Sequence, residues 1–379
     1  MKYLNEAIYS INRKSKKIII IYLFIVFFVH QLIPNNITEN KFYKLFNDKK
    51  RIGVSCLKNS QNVGNILVKY AMLKKLEEFG FNVTLLVPKN FIRNESYFIS
   101  RTLSSNLYII EKNYSEELNE NDFNYLLVNS DQTWTSSNWI YFYDVGFLKF
   151  AKNWGVKKFI YGASIGSDKW KYNRTEDKEI KKLLSNFTGI SFREIGTVRL
   201  AKEHLDIKAV FVLDPTLIID KQYYLNEIKD YKGDFHSNEN FIFVYQIYSD
   251  KNVKKVIENS RKKLNCAINK FRFNKKDNIE NFIFSISNCK AVITDSFHGT
   301  IFSIIFNKPF ISFINKYGGK GRFDSLKEVF KLEDRIFMPT EIAKINLNLL
   351  KNKPNINQTL LNQLRNFSIN YLKKNLDIF

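Results

Sequence analysis

The sequence predicts an α/β protein with two successive Rossmann-like halves facing a cleft, preceded by an N-terminal hydrophobic helix. Three observations predict it. Short apolar runs recur along the chain, the pattern of parallel strands buried on both faces. Segments with a helical apolar period fall between them. A polar stretch from Tyr231 to Asn240, rich in Lys, Gly, Asp, Ser and Asn, divides the alternation into two series.

Bulk properties agree. A chain of 379 residues is long enough for two α/β domains with sizeable cores, and 45% hydrophobic against 25% charged residues is a globular balance. With 59 Lys+Arg against 37 Asp+Glu the formal charge is +22, which favours anionic partners. The lysines are scattered, and no nucleic-acid signature accompanies them, so nucleic acid is not an expected partner. Cys56, Cys266 and Cys289 show neither CxxC spacing nor pairing with His, so they are read as small buried thiols rather than a metal site.

The chain divides as follows: a basic tail (1–17), an apolar segment (18–33), a stalk (34–50), a first Rossmann-like domain (51–235), a second (236–340) and C-terminal helices (341–379). Arg13, Lys14, Lys16 and Lys17 precede the apolar run from Ile18 to Ile33, which is slightly short of the ~20 residues of a spanning helix. No small-residue cleavage pattern follows. An uncleaved single-pass anchor with a cytosolic N-terminus is the first reading and a monotopic anchor the second; the side of the membrane holding the folded part stays open.

In the first domain, Arg51–Cys56 reads as a buried strand, Asn65–Phe79 as a helix and Phe81–Val87 as the next strand. The helix places Ile66, Tyr70, Leu73 and Leu76 on one face, with Lys69, Lys74, Lys75, Glu77 and Glu78 largely elsewhere. Further strands are expected near Tyr125–Val128, Lys158–Gly162, Gly189–Phe192 and Val210–Leu213, with a helix from Glu194 to His204. The second series gives strands at Phe241–Tyr245, Ala291–Thr294 and Pro309–Phe313, and helices at Asn252–Leu264 and His298–Phe306.

The sharpest chemical signal is Thr294-Asp295-Ser296-Phe297-His298-Gly299-Thr300. A buried strand delivers Asp295 and Ser296 to its C-terminal end, and the chain turns directly into a helix. The amides of Gly299 and Thr300 would then sit at a helix start that favours phosphate or carboxylate. His298 is one of four histidines, and an imidazole can both take and give a proton. The plainer alternative is that Asp295 or Ser296 merely caps the helix.

This segment, continued through Asn307-Lys308-Pro309-Phe310-Ile311, resembles the C-terminal motif of the polysaccharide pyruvyl transferase family. Asn62-Val63-Gly64-Asn65 resembles that family's N-x-G-N start, and Ser130-Asp131-Gln132-Thr133-Trp134 its G-S-D-Q-x-W turn. Ser191-Phe192-Arg193-Glu194 resembles its S-x-R-E strand end, Leu213-Asp214-Pro215-Thr216 its D-P-T turn, and Gly321–Leu326 the segment before its last helices. Each motif alone is weak; their order from Arg51 to Phe337 makes them specific.

The resemblance implies a glycosyltransferase-B-like fold and transfer of a pyruvyl group from phosphoenolpyruvate to a sugar of a glycan or lipid-linked saccharide, forming a ketal. It implies His298 as proton shuttle with Asp295 or Asp131 in support. Arg193, Ser296, Gly299, Thr300, Arg322 and Asn65 are the implied substrate contacts. Arg193 has an alternative as an ion-pair partner of Glu194 or Asp214, and Asn65 as a helix cap. Phosphoenolpyruvate is a co-substrate; no cofactor or metal is expected. One departure stands out: many members carry Arg-x-His where this chain has Ser296-Phe297-His298. The rivals are a nucleotide-sugar glycosyltransferase of the same fold and a non-catalytic glycan-binding relative.

Overall fold

The computed structural model describes residues 50–57, 62–88, 97–135, 142–231, 240–272, 278–314 and 319–378. The expected tail, anchor and nearly all of the stalk lie outside them, as does most of the expected linker. Among the described residues no helix is long and apolar enough to cross a membrane.

The first half holds a six-stranded sheet of β1 (Arg51–Ser55), β2 (Asn82–Pro88), β3 (Leu107–Ile110), β4 (Tyr125–Val128), β5 (Lys157–Ile160) and β6 (Phe187–Gly189), in the order β3-β2-β1-β4-β5-β6. Every pairing is parallel. A parallel pair, β7 (Ser191–Phe192) and β8 (Val210–Phe211), extends it through bridges from Asp131 to Ala163 and from Ala163 to Phe192. The second half has a five-stranded parallel sheet of β9 (Phe241–Tyr245), β10 (Ala267–Phe271), β11 (Ala291–Thr294), β12 (Phe310–Phe313) and β13 (Ile336–Phe337), ordered β10-β9-β11-β12-β13. In both sheets the order reverses beside the first strand, and ligands of such sheets bind outside the carboxyl ends of the strands at that point.

Among the described residues the helices of nine or more residues are α1 (Val63–Glu78), α2 (Arg174–Leu184), α3 (Ile195–Leu205), α4 (Lys251–Leu264), α5 (Ile279–Asn288), α6 (Phe297–Ile305), α7 (Lys320–Phe330) and α8 (Gln358–Asn375). Asn62 caps α1, its side chain accepting from the Gly64 amide at 2.9 Å. α1 is buried on all sides from Val63 to Leu73, Lys69 included, which corrects the amphipathic reading over that stretch, while Glu77 and Glu78 in its last turn are exposed as expected. The cause is that α6 and the short helix Pro215–Ile218 pack against it, so a face expected to meet water meets protein. The apolar contact continues between the halves, where the Tyr224 and Phe302 rings meet edge to face at 4.9 Å.

Strands β3, β10 and β13 and helices α5 and α7 are additions to the expected pattern. β3 and β10 are the edge strands of their sheets and half exposed; β10 is interrupted by Asn269 and Lys270, whereas the apolar Leu107–Ile110 of β3 is a run that the reading passed over. α8 returns to the first half. There Tyr371 donates to the Ile160 carbonyl at 2.7 Å, Arg365 to that of Leu217 at 2.8 Å, and Ser368 accepts from the Leu213 amide at 2.9 Å. All three cysteines are buried and unbridged. Burial pushes the Cys56 thiol up to about 11 and that of Cys289 to about 12, so both are inert.

Candidate active site

Parallel strands deliver chemistry at their carboxyl ends, and here they do so from both halves. Asp131 follows β4, Arg193 and Glu194 follow β7, and Asp214 follows β8, while the second half contributes His298 from the first turn of α6. Asp131 is held at φ +110°, where an L side chain is strained. Its carbonyl accepts from the amides of Thr133 at 2.7 Å and Ser164 at 2.9 Å, which fixes the turn.

Arg193 is the hub. Its side chain is 0% exposed; Nη1 donates to Asp214 Oδ2 at 2.6 Å and Nη2 to Asp131 Oδ1 at 2.8 Å. Asp131 Oδ2 accepts from Asn65 Nδ2 at 2.8 Å, and Lys69 donates to Asn65 Oδ1 in turn. Burial alone would raise both aspartates. The Arg193 cation, with His298 next, outweighs it and holds both carboxyls below their ordinary range. Burial is also the largest influence on Lys69 and lowers it to about 8. Glu194 goes the other way, raised by burial that Arg193 at 3.9 Å only partly offsets.

His298 is 3% exposed, and its Nε2 lies 3.5 Å from Asp214 Oδ2 without forming a hydrogen bond. The other ring nitrogen abuts α1: a Cβ on Gly64 would sit 1.8 Å from Nδ1. Gly64 is therefore glycine so that α1 and the His298 ring can touch. Gly64→Ala should lower stability by about 1–3 kcal/mol, since backbone or ring must move to admit the methyl group. Denaturant midpoints, with near-ultraviolet circular dichroism to follow the packing between halves, would measure it.

Several expected roles are corrected. Asp295 does not support His298: its Oδ1 accepts from the Ile247 amide at 2.6 Å and its Oδ2 from that of Tyr248 at 2.9 Å, pinning the loop after β9. The carboxylate 3.5 Å from the histidine is Asp214. Ser296 is the helix cap, its Oγ accepting from the Gly299 amide at 3.3 Å, and its carbonyl accepts from the Thr300 amide at 3.0 Å. Both amides expected to hold an anion are thus engaged inside the helix start. Gly299 instead lets the helix pass Thr294, whose Oγ1 would lie 2.3 Å from an added Cβ. Arg193 is the buried ion-pair partner rather than an open cation. Asn65 sits inside α1 and is not its cap, with both ends of its amide occupied.

Arg322, on α7, stands differently. With the Gln132 amide oxygen turned toward it, both terminal nitrogens donate to Gln132 at 3.0 and 2.9 Å. Its Nε is buried without a partner, and no carboxylate lies within ion-pair distance of it among the described residues. Phe297 presents its ring to both guanidinium groups, Arg193 at 5.1 Å and Arg322 at 5.4 Å. Burial, with Arg193 next, lowers the Arg322 guanidinium from its usual value.

Lys69 and Gln132 are members of this cluster that the site reading passed over, and Glu194 and Asp214 entered it only as alternative ion-pair partners of Arg193. Three of them stood inside the S-x-R-E, D-P-T and G-S-D-Q segments, so their signal was position beside residues already chosen. Lys69 had only its place one turn after Asn65.

Charged groups from the carboxyl ends of two parallel sheets, meeting at a helix start, are the arrangement of an α/β protein with its ligand site at the strand ends. Solved structures to which the chain is similar include UGT89C1 of Arabidopsis thaliana complexed with UDP-L-rhamnose (TM-score 0.49, 11% identity, covering 87% of this chain and 98% of that one). Another is a putative UDP-N-acetylglucosamine 2-epimerase from Listeria monocytogenes (TM-score 0.49, 10% identity, 85% and 94% covered). A third is the UDP-GlcNAc 2-epimerase of Methanocaldococcus jannaschii (TM-score 0.46, 13% identity, 84% and 99% covered). No curated protein matches the chain significantly. The family model for polysaccharide pyruvyl transferase matches residues 62–317, and the chain belongs to that family. It is a transferase of glycan biosynthesis.

Proposed function

We propose that the protein transfers the pyruvyl group of phosphoenolpyruvate to two hydroxyls of a saccharide. The carbon bearing the phosphate gains two C–O bonds from the sugar and becomes a ketal. The methylene carbon takes up a proton, and the C–O bond to phosphate breaks. One hydroxyl proton replaces the proton used on carbon and the other leaves with phosphate, so the balance closes without a redox partner.

The observation that carries this reading is the placement of His298 between the halves, next to the Arg193–Asp214–Asp131 charge cluster. His298 moves protons, and Asp214 stabilises the imidazolium when it forms. Arg322, with its unpartnered Nε, serves the phosphate or carboxylate of the donor in place of the arginine that Ser296 replaces. Because His298 is buried against Gly64, substrates reach it only as α1 and α6 part. The basic and apolar segment 13–33 would tether the enzyme to a membrane carrying its acceptor.

The test is incubation with phosphoenolpyruvate and candidate saccharides, following inorganic phosphate and the acid-labile pyruvate of the product. A nucleotide-sugar consumed instead, with phosphoenolpyruvate untouched, would replace this reading by glycosyl transfer. Arg322→Met should raise the KM for phosphoenolpyruvate by about tenfold, the worth of one charge-assisted contact. Steady-state kinetics at saturating acceptor would show it, and an unchanged KM would remove Arg322 from the donor site.

A further inference from the structure

We propose that the exposed face of α4 docks on an anionic lipid surface. The lysines that are scattered along the sequence gather here on folding. Residues 250–264 and 339–351 carry eight Lys and Arg against three acidic residues. The two stretches form one surface. The 3₁₀ turns Pro339–Lys344 and Leu347–Lys351 pack against α4, and Asn252 Nδ2 donates to the Pro339 carbonyl at 3.0 Å.

All three acidic residues are engaged. Asp250 caps α4, accepting from the Asn252 amide at 2.8 Å, and Glu258 accepts from Arg261 Nε at 3.1 Å. Glu341 accepts from the Met338 amide and pairs with Lys344, both at 2.8 Å. Lys251, Lys254, Lys255, Lys262, Lys263 and Lys351 are exposed, and none of them forms an ion pair among the described residues. On the helix Lys251, Lys255 and Lys262 share one line, opposite the buried Val253, Val256, Ser260 and Leu264. Helix stability accounts for only part of this pattern. Arg261, Lys262 and Lys263 suit the negative end of the helix dipole. Lys251, Lys254 and Lys255 crowd the positive end, where cations are unfavourable and a single acid, the capping Asp250, answers three of them.

Lipid is the partner that the rest of the chain favours. Arg13, Lys14, Lys16 and Lys17 precede the apolar run 18–33, the composition of a segment drawn to an anionic membrane. A headgroup layer offers a broad negative surface to a broad positive one, and each lysine brought near it adds to the attraction. The apolar face of α4 is already buried in its own half, so the contact is electrostatic rather than inserted, and salt weakens it. α4 begins just past the carboxyl end of β9, which pairs with β11, the strand leading to His298. A membrane along α4 therefore passes beside the strand ends that carry the site, which suits an acceptor held on lipid. That last step rests on the pyruvyl-transfer reading; the docking does not.

The test places the full chain with nanodiscs of phosphatidylcholine alone and of phosphatidylcholine mixed with phosphatidylglycerol. A lysine-acetylating reagent followed by mass spectrometry then reads each amine. Lys251, Lys255 and Lys262 should react at least about threefold more slowly with the anionic discs than with the neutral ones. Lys178, Lys181 and Lys182 on α2, where Glu176, Asp177 and Glu179 balance the charge, should react alike with both. Salt at about 1 M, which shortens screening to about 3 Å, should erase the difference. Lys255→Glu with Lys262→Glu should abolish the slowing at Lys251, whereas Lys178→Glu with Lys181→Glu should keep it. The proposal is overturned if the α4 lysines react alike with the two discs, if the α2 lysines slow as much, or if the first double variant slows like the wild type. It is overturned equally if a short duplex DNA slows the α4 lysines more than the anionic discs do, which would assign the face to nucleic acid. None of these readings depends on activity, so the fate of the pyruvyl-transfer reading is decided separately, by phosphate release from phosphoenolpyruvate.

Discussion

His298→Asn should lower kcat for phosphate release from phosphoenolpyruvate by about 10²–10⁴-fold, the usual worth of a positioned proton-transfer group. Asparagine is the informative replacement because the ring is packed: Nδ1 abuts Gly64, and Nε2 faces Asp214 at 3.5 Å. Alanine would open a cavity between the halves and confuse lost chemistry with lost packing. Asparagine keeps much of the volume and loses only the ability to carry a proton. The thermal midpoint should therefore stay close to wild type while kcat falls, with KM for phosphoenolpyruvate little changed because the donor is held elsewhere. A kcat within about threefold of wild type would remove His298 from the proton path.

The assignments that survived contact with the structure, and those that did not, separate along a physical line. Central parallel strands such as β4, β9 and β11 are covered on both faces, so their burial is written as near-continuous apolar sequence. Edge strand β10 carries Asn269 and Lys270 among its five residues and leaves no such trace. The same distinction holds in the site. The segment containing His298 was legible because strand, turn and helix follow one another within a few residues. Its partner was not, because Asp214 arrives from the other half of the molecule and nothing in the intervening sequence encodes the approach. Asp295 was chosen for nearness in sequence, yet neighbours at a strand end point in different directions. Its carboxylate turns toward the β9 loop. Lys69 misled for a related reason. A helical period sorts residues by polarity, and a lysine drawn inward by Asn65 one turn earlier reads as solvent-facing.

Arg193→Leu should destabilise the protein by about 3–5 kcal/mol at neutral pH, because it leaves two buried carboxylates without their cation. The direction of the pH dependence makes the argument specific. In the wild type Asp131 and Asp214 are held below their unfolded range, Arg193 outweighing burial. Their contribution is therefore fully present above about pH 4 and is lost as pH falls through the depressed folded values. Without Arg193, burial becomes the dominant influence and raises both carboxyls. The folded variant then binds protons that the unfolded chain does not, so its stability rises as pH falls from 7.5 toward 5. Urea midpoints at those two pH values should show the gap between variant and wild type narrowing at the lower pH. Arg193→Lys separates charge from geometry: one ammonium cannot span Asp214 and Asp131 as the two Nη groups do, so it should recover only part of the loss. A leucine variant with a gap under about 1 kcal/mol, or one that widens toward pH 5, would show that these ion pairs do not hold the two strand ends in place.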